Sequence, residues 1–341
     1  MFIKIYEWFK KLFRENYKLI IFAIVFFIVL EYPVPYYIFT NGGISDLSER
    51  FTIENGYTQE GSYNLSYVSQ INGNILTYLS SYLVPSWDRV LVENYQLNEN
   101  ESIEELLIRD KLSLDYANQL AITTAYSKAG IDIEIKKSNV YIVYMTEYLK
   151  SDVQLKIGDQ ITHVNGNVIN SFDEVINYVT ATNDNDKVSF TIKRGNDTFD
   201  TDVLVQTIDD KKLVGISCYV IHEYETNPKI TFNFSSNESG ASAGLMTTLA
   251  IYDTLIEEDL THGLKIAGTG TINSDGSIGE IGGVKYKLKG AVSSDADIFF
   301  VPTGDNYEEC LKLVKDNDYK IDLVEVKTFD DAVNYLKDLK V

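Results

Sequence analysis

The stretch that leaves this chain the fewest choices is Leu155-Lys-Ile-Gly-Asp-Gln-Ile-Thr-His-Val-Asn-Gly-Asn-Val-Ile169. Gly158-Asp159 makes one turn and Asn165-Gly166 the next, because Gly and Asn tolerate the backbone that tight turns require. The pattern is strand–turn–strand. Ser171 then reads as a helix N-cap, with Glu174 three residues on as its capping-box partner, over a helix 171–180. Upstream, 139–145 reads as a strand. Downstream, 188–193 and 201–205 read as strands, with Arg194-Gly195-Asn196 as a hairpin turn. Together these make a compact unit over 137–207.

The phrase LKxGDxIxxVNGxxI in that unit resembles the signature of a PDZ domain, which implies a β-rich fold with two helices that handles peptides or partner proteins. The departure from the family pattern is that no clear Gly-rich carboxylate-binding loop precedes Val140.

A chain of 341 residues suggests two or three domains. The formal charge of −20 argues against a nucleic-acid partner, since phosphate binding needs a basic surface. No GxxxxGK[ST] run offers a P-loop for ATP. His163, His222, His262, Cys218 and Cys310 are nowhere at zinc-ligand spacing, so no metal and no cofactor is expected. Two buried free thiols and a Cys218–Cys310 disulfide are both open readings.

The N-terminus carries Lys4, Lys10, Lys11, Arg14 and Lys18, followed by the unbroken apolar run Leu19–Leu30. Twelve apolar residues are too short to span a bilayer alone. Tyr32, Tyr36, Tyr37 and Phe39 extend the segment and read as an aromatic belt. The expectation is a basic cytoplasmic segment at 1–16 and a transmembrane anchor at 17–39 in the lipid bilayer. The body would then be extracytoplasmic. A cleaved signal or a surface-lying helix is the alternative. Beyond it, 62–68 alternates as a strand with Tyr63, Leu65 and Tyr67 on one face. Residues 112–129 have helical spacing and end at Gly130.

The chemistry concentrates after 211. Gly240-Ala-Ser-Ala-Gly244 precedes Leu245–Leu255 at helical spacing. Small residues around Ser242 permit close approach of a substrate backbone, and a helix N-terminus supplies N–H groups and partial positive charge. That setting suits a nucleophile whose reaction builds an oxyanion. A hydrolase triad needs a histidine well downstream, and the last histidine is His262. Lysine remains as the base. On a helix starting at Val284, Lys285 and Lys289 share a face, whereas Lys287 shares its side with Gly283, Val284, Gly290 and Ala291. Lys287 is therefore the lysine expected to be buried, where desolvation lowers it toward the range of a general base.

GxSAG, then Thr269-Gly-Thr271, then Gly276-x-Ile278-Gly279-x-Ile-Gly-Gly-Val-x-x-Lys287 resembles the proteolytic domain of the Lon family. The resemblance maps that family's Ser–Lys dyad onto Ser242 and Lys287 and its supporting threonine onto Thr269. Gly240 and Ala241 flank the nucleophile, Ala241 standing where proline is usual. The order of anchor, PDZ and Lon-type domain is similar to membrane-anchored PDZ–Lon serine proteases of bacteria. It implies an α+β fold in which 41–135 supplies the first part of the protease domain, 137–207 the inserted PDZ domain and 211–341 the catalytic part. A separate helical domain at 41–135 is the alternative. The implied activity is ATP-independent cleavage of peptides or unfolded protein segments, by a monomer or a homo-oligomer. A catalytically inert PDZ adaptor is the competing reading.

Overall fold

The structure, a computed structural model, describes residues 2–84, 86–95, 102–152, 154–234 and 238–339. Met1 of the expected segment 1–16, positions 85 and 96–101 of 41–135, Val153 of 137–207 and positions 235–237 and 340–341 of 211–341 lie outside the described residues. Along the chain come α1 (Phe2–Leu30), β1 (Pro33–Asp46), β2 (Phe51–Ile53), β3 (Ser62–Asn74), α2 (Ile75–Ser80), β4 (Asp88–Leu91) and α3 (Ile103–Lys128). Then follow β5 (Glu134–Met145), β6 (Gln160–Val164), β7 (Asn167–Val168), α4 (Phe172–Ala181), β8 (Lys187–Arg194) and β9 (Asp197–Leu204). β10 (Gln206–Ile208), β11 (Lys211–Leu213), β12 (Ile216–Glu225), β13 (Ile230–Phe232), α5 (Gly244–Leu255), β14 (Lys265–Gly268), β15 (Thr271–Ile272) and β16 (Ile278–Gly279) come next. The chain closes with α6 (Val284–Ser293), β17 (Ile298–Pro302), α7 (Asp305–Asn317), β18 (Asp322–Val326) and α8 (Phe329–Asp338). The fold is mixed α+β.

Two compact units result, Met1–Asn41 with Val68–Tyr95 and Gly42–Tyr67 with Gln96–Val341. The long strands β1 and β3 each contribute residues to both.

In the first unit the membrane anchor expected at 17–39 is not formed. α1 breaks at Asn16, whose φ of −118° and ψ of 15° are not helical. The part after the break, 17–30, is about 21 Å long at 1.5 Å per residue, against an apolar layer of about 30 Å. Among the described residues no helix is long and apolar enough to cross a membrane. The expected aromatic belt belongs to a sheet instead: Tyr36–Phe39 pair with β4, and Tyr37, Ile38 and Phe39 are buried. The single-pass placement, with a cytoplasmic N-terminus and an extracytoplasmic body, is therefore not supported.

The second unit is organised by parallel pairing. β14 pairs in parallel with both β3 and β17, and β17 pairs in parallel with β18. Parallel neighbours need crossovers, and α6 and α7 supply them after β14 and β17. The core brings Tyr126 of α3, Leu245, Met246 and Leu249 of α5, Phe300 of β17 and Phe329 of α8 together, each at most 1% exposed. Burying each such side chain contributes about 2 kcal/mol. Residues 42–67 and the described part of 96–135 thus fall in one unit with the Ser242 region. Positions 68–95 fall in the other unit.

The unit expected at 137–207 forms a sheet of its own, in the order β12-β5-β6-β8-β9, with β7 on β6. β12 lies beyond the expected boundary at 207 and forms an end strand. α4 begins at the expected cap, with Ser171 Oγ accepting from the Glu174 N–H. The Glu174 carboxylate reaches the N–H of Asn170. Among the described residues α4 is the one helix of 137–207, where two were expected. Gly158 at φ +91° and the Asp159 carboxylate, which accepts from the Lys156 N–H, hold the remaining candidate segment in turns. Cys218 and Cys310 are both free thiols.

Candidate active site

Ser242 lies on a turn just ahead of α5, half-buried. The Gly244 N–H donates to the Ala241 carbonyl at 3.1 Å and closes that turn. Gly240 has a φ of +89°, and its N–H donates to the Asp110 carbonyl of α3 at 3.0 Å. A side chain at Gly244 would place its Cβ 2.8 Å from the Ile272 backbone nitrogen, so only glycine lets α5 sit this close to β15.

Thr269 follows directly on β14, at the carboxyl end of a parallel strand, and is fully buried. Its neighbourhood is laced to the Ser242 turn. The Gly270 N–H donates to the Ser242 carbonyl at 2.9 Å, and the Leu245 N–H donates to the Gly270 carbonyl at 3.0 Å. The Thr269 hydroxyl donates to the Ser242 carbonyl at 3.1 Å.

Lys287 comes from the first turns of α6. It is 3% exposed, whereas Lys285 and Lys289 are half-buried, which matches the helical phase. Its Nζ lies 2.6 Å from Ser242 Oγ and 3.0 Å from Thr269 Oγ1. Among the described residues no carboxylate ion-pairs with it. Burial, which disfavours the ammonium, therefore pushes its pKa down to about 7. An amine of that pKa carries about three orders of magnitude more free base at pH 7 than an ordinary lysine.

The structure thus brings Ser242, Lys287 and Thr269 together, with Gly240 and Ala241 on the same turn. The histidines are used elsewhere. His262 Nε2 bonds the Leu336 carbonyl at 2.9 Å, and His222 Nδ1 bonds Ser138 Oγ at 2.8 Å. Asp110, which holds Gly240 from α3, was not legible in the sequence, because its contribution is a main-chain carbonyl and any residue type would supply it. Chemically, a hydroxyl against a neutral amine, at a helix start, is an arrangement for proton removal and nucleophilic attack. Among the described residues no group of His, Cys, Asp and Glu could hold a metal ion.

A family model described as a PDZ domain matches residues 129–205. Similar solved structures include the PDZ domain of the SdrC-like protein from Listeria monocytogenes, at 26% identity over 25% of this chain and 92% of that one, with a TM-score of 0.22. The PDZ domain of the SdrC-like protein from Listeria innocua shows 28% identity over 24% of this chain and 93% of that one, with a TM-score of 0.21. Among curated proteins none matches this chain. The chain therefore contains a PDZ domain.

Proposed function

We propose that this protein is an ATP-independent serine endopeptidase of the Lon type, with Ser242 as nucleophile and Lys287 as general base. The observation that carries the reading is the 2.6 Å contact between Lys287 Nζ and Ser242 Oγ, made by a buried lysine beside neutral hydroxyls. In the neutral amine the bond runs from the serine hydroxyl to Nζ. As Oγ attacks a peptide carbonyl, its proton passes to Lys287, and the resulting ammonium gives it to the leaving amine. Water then attacks the acyl-enzyme, handing its proton to the same lysine, and the carboxylic product and free serine are restored.

Thr269 acts as a positioning residue. Its hydroxyl accepts from Lys287 and donates to the Ser242 carbonyl, which fixes the amine relative to the nucleophile. The Gly240 N–H is committed to Asp110, so the oxyanion falls to the N–H groups of Ala241 and Ser242. Without an ATP motor, substrates are flexible peptides or already unfolded protein segments, with the PDZ domain binding substrate or partner.

The test mixes the full chain with a reduced, alkylated, unfolded protein, without ATP or added metal, and reads the products by mass spectrometry. Cleavage by the native chain, lost in both Ser242→Ala and Lys287→Ala, is the expected result. Cleavage that survives Lys287→Ala would remove the lysine from the mechanism. Absence of cleavage by every form, with partner binding retained, would favour the inert adaptor.

A further inference from the structure

Two amide side chains stand next to each other on α3 and are treated differently. Gln119, 5% exposed, is spent on β12: its Oε1 accepts from the His222 N–H at 2.7 Å, and its Nε2 donates to the Val220 carbonyl at 3.1 Å. Asn118 is 9% exposed, and among the described residues its side-chain amide has no hydrogen-bond partner. A buried amide is ordinarily matched, and asparagine weakens a helix interior. Neither the helix nor its packing therefore accounts for this residue.

Asn118 borders a cavity of about 330 Å³, whose apolar wall is Ile122 of α3, Ile221 and Tyr224 of β12, and Phe232 and Phe234 at and after β13. Lys111, Asp115, Asn118 and Ile122 recur at four, three and four residues, so they share one face of α3. Along that face the lining passes from charged, through amide, to apolar. Lys111 Nζ lies 3.8 Å from Asp115 Oδ1, with both side chains nearly half exposed. That pair is loose, and lysine ahead of the acid is the weaker order on a helix. Burial raises the Asp115 carboxyl above the ordinary carboxylate range, and Lys111 offsets only part of the rise. Water would satisfy Asn118 but gains nothing from a wall of aliphatic and aromatic carbon. A ligand that answers the whole lining carries one large apolar group with a cation and an anion close together. It is also small, since this volume is at the low end of the ligand-pocket range of about 300–1,000 Å³.

We infer that this cavity is a binding site for a free α-amino acid with a large apolar side chain. The ammonium pairs with Asp115, the carboxylate pairs with Lys111 and accepts from the Asn118 amide, and the side chain lies against Phe232 and Phe234. Lys111 directly follows Asp110, whose carbonyl holds the Gly240 N–H at 3.0 Å. An occupied site therefore braces the turn that carries Ser242. The effect of that brace on turnover rests on the proposed reaction, whereas the binding site does not.

The experiment is titration calorimetry on the full chain carrying Ser242→Ala, so that nothing is cut. The probes are L-phenylalanine, N-acetyl-L-phenylalanine without the cation, L-phenylalaninamide without the anion, and glycine without the side chain. L-Phenylalanine is expected to bind at one site per chain, and each of the other three at least ten-fold more weakly. Lys111→Met should weaken L-phenylalanine and leave L-phenylalaninamide unchanged. Asp115→Asn should weaken L-phenylalanine and leave N-acetyl-L-phenylalanine unchanged. A variant that merely loosened the fold would weaken every probe alike. Asn118→Leu, which keeps the bulk and loses the amide, should weaken L-phenylalanine without lowering the unfolding temperature. No binding of L-phenylalanine at millimolar concentration, or equal binding of the four probes, would overturn the site. Hydrogen exchange read by mass spectrometry supplies the second readout. Saturating L-phenylalanine should slow exchange in the segment containing Gly240, and unchanged exchange there would overturn the brace.

Discussion

Two ionisable side chains are buried in the same unit and handled in opposite ways. In the PDZ domain Asp159 is 1% exposed and fully matched. Arg194 Nε and Nη2 donate to its two oxygens at 2.6 and 2.7 Å, and the Lys156 N–H donates at 2.9 Å. Ahead of α5, Lys287 is 3% exposed and meets only the hydroxyls of Ser242 and Thr269. A matched charge offsets part of its desolvation cost through its partner. An unmatched one holds its proton loosely. Burial therefore does not mark a reactive group by itself; burial without a counter-charge singles out a candidate.

That contrast can be broken at either end. The largest effect is expected for Lys287→Ala, which should lower kcat/KM for an unfolded substrate at least 10³-fold, about 4 kcal/mol of transition-state stabilisation. Steady-state peptide release measures it, and a loss under ten-fold would contradict the base assignment.

Next comes stability. The folded-state pKa of Lys287 is lowered to about 7, below the ordinary lysine value near 10.4. Between those two values the unfolded chain binds the extra proton, so the native state gains stability as pH rises through that window and loses it as pH falls. Lys287→Met removes this penalty. It should stabilise the fold at pH 6 by up to about 4 kcal/mol, with the advantage fading toward pH 10. Denaturant unfolding of both proteins at the two pH values reads the difference, and a pH-independent difference would count against a buried, unmatched lysine.

Asp159→Ala should do the reverse. It strands Arg194 and costs about 2–3 kcal/mol, at the low end for a broken buried pair because Arg194 is itself partly exposed. Cleavage by the folded protein should stay close to native, which separates a structural charge from a reactive one. The smallest effect is expected for Thr269→Val, which keeps the shape and removes the hydroxyl. It should lower kcat about ten-fold with KM little changed, since it positions the amine without binding substrate.

How much of this was readable from the sequence differs by residue. The PDZ domain was legible because its turns need particular residues, Gly158 and Asn165-Gly166, at fixed spacing. The choice of Lys287 over Lys285 and Lys289 followed from helical phase alone, since only one of the three shares a side with Gly290 and Ala291. The N-terminal segment misled because a run of apolar residues has no direction in it. Tyr36–Phe39, an aromatic and β-branched stretch bounded by Pro35, fits a strand as well as it fits an interfacial belt, and β4 decides between them. The strand read from the alternation of Tyr63, Leu65 and Tyr67 is β3, although burial does not follow that face. β3 sits between β14 and β1, and Asn64 and Ser66 are buried while Tyr67 is 44% exposed. Gln119 gave no signal, because a glutamine in a helix acquires its meaning only from the strand edge it meets.

The central claim is that a neutral Lys287 activates Ser242. It is tested most directly by the rate at which a serine-reactive fluorophosphonate labels Ser242 in the full chain, measured from pH 5 to pH 10. The account requires the rate to rise through a single ionisation near pH 7 and level off above it, with the rise absent in Lys287→Ala and the label absent in Ser242→Ala. Equal labelling of the native chain and Lys287→Ala across that range, or a rise only above pH 10, would contradict it.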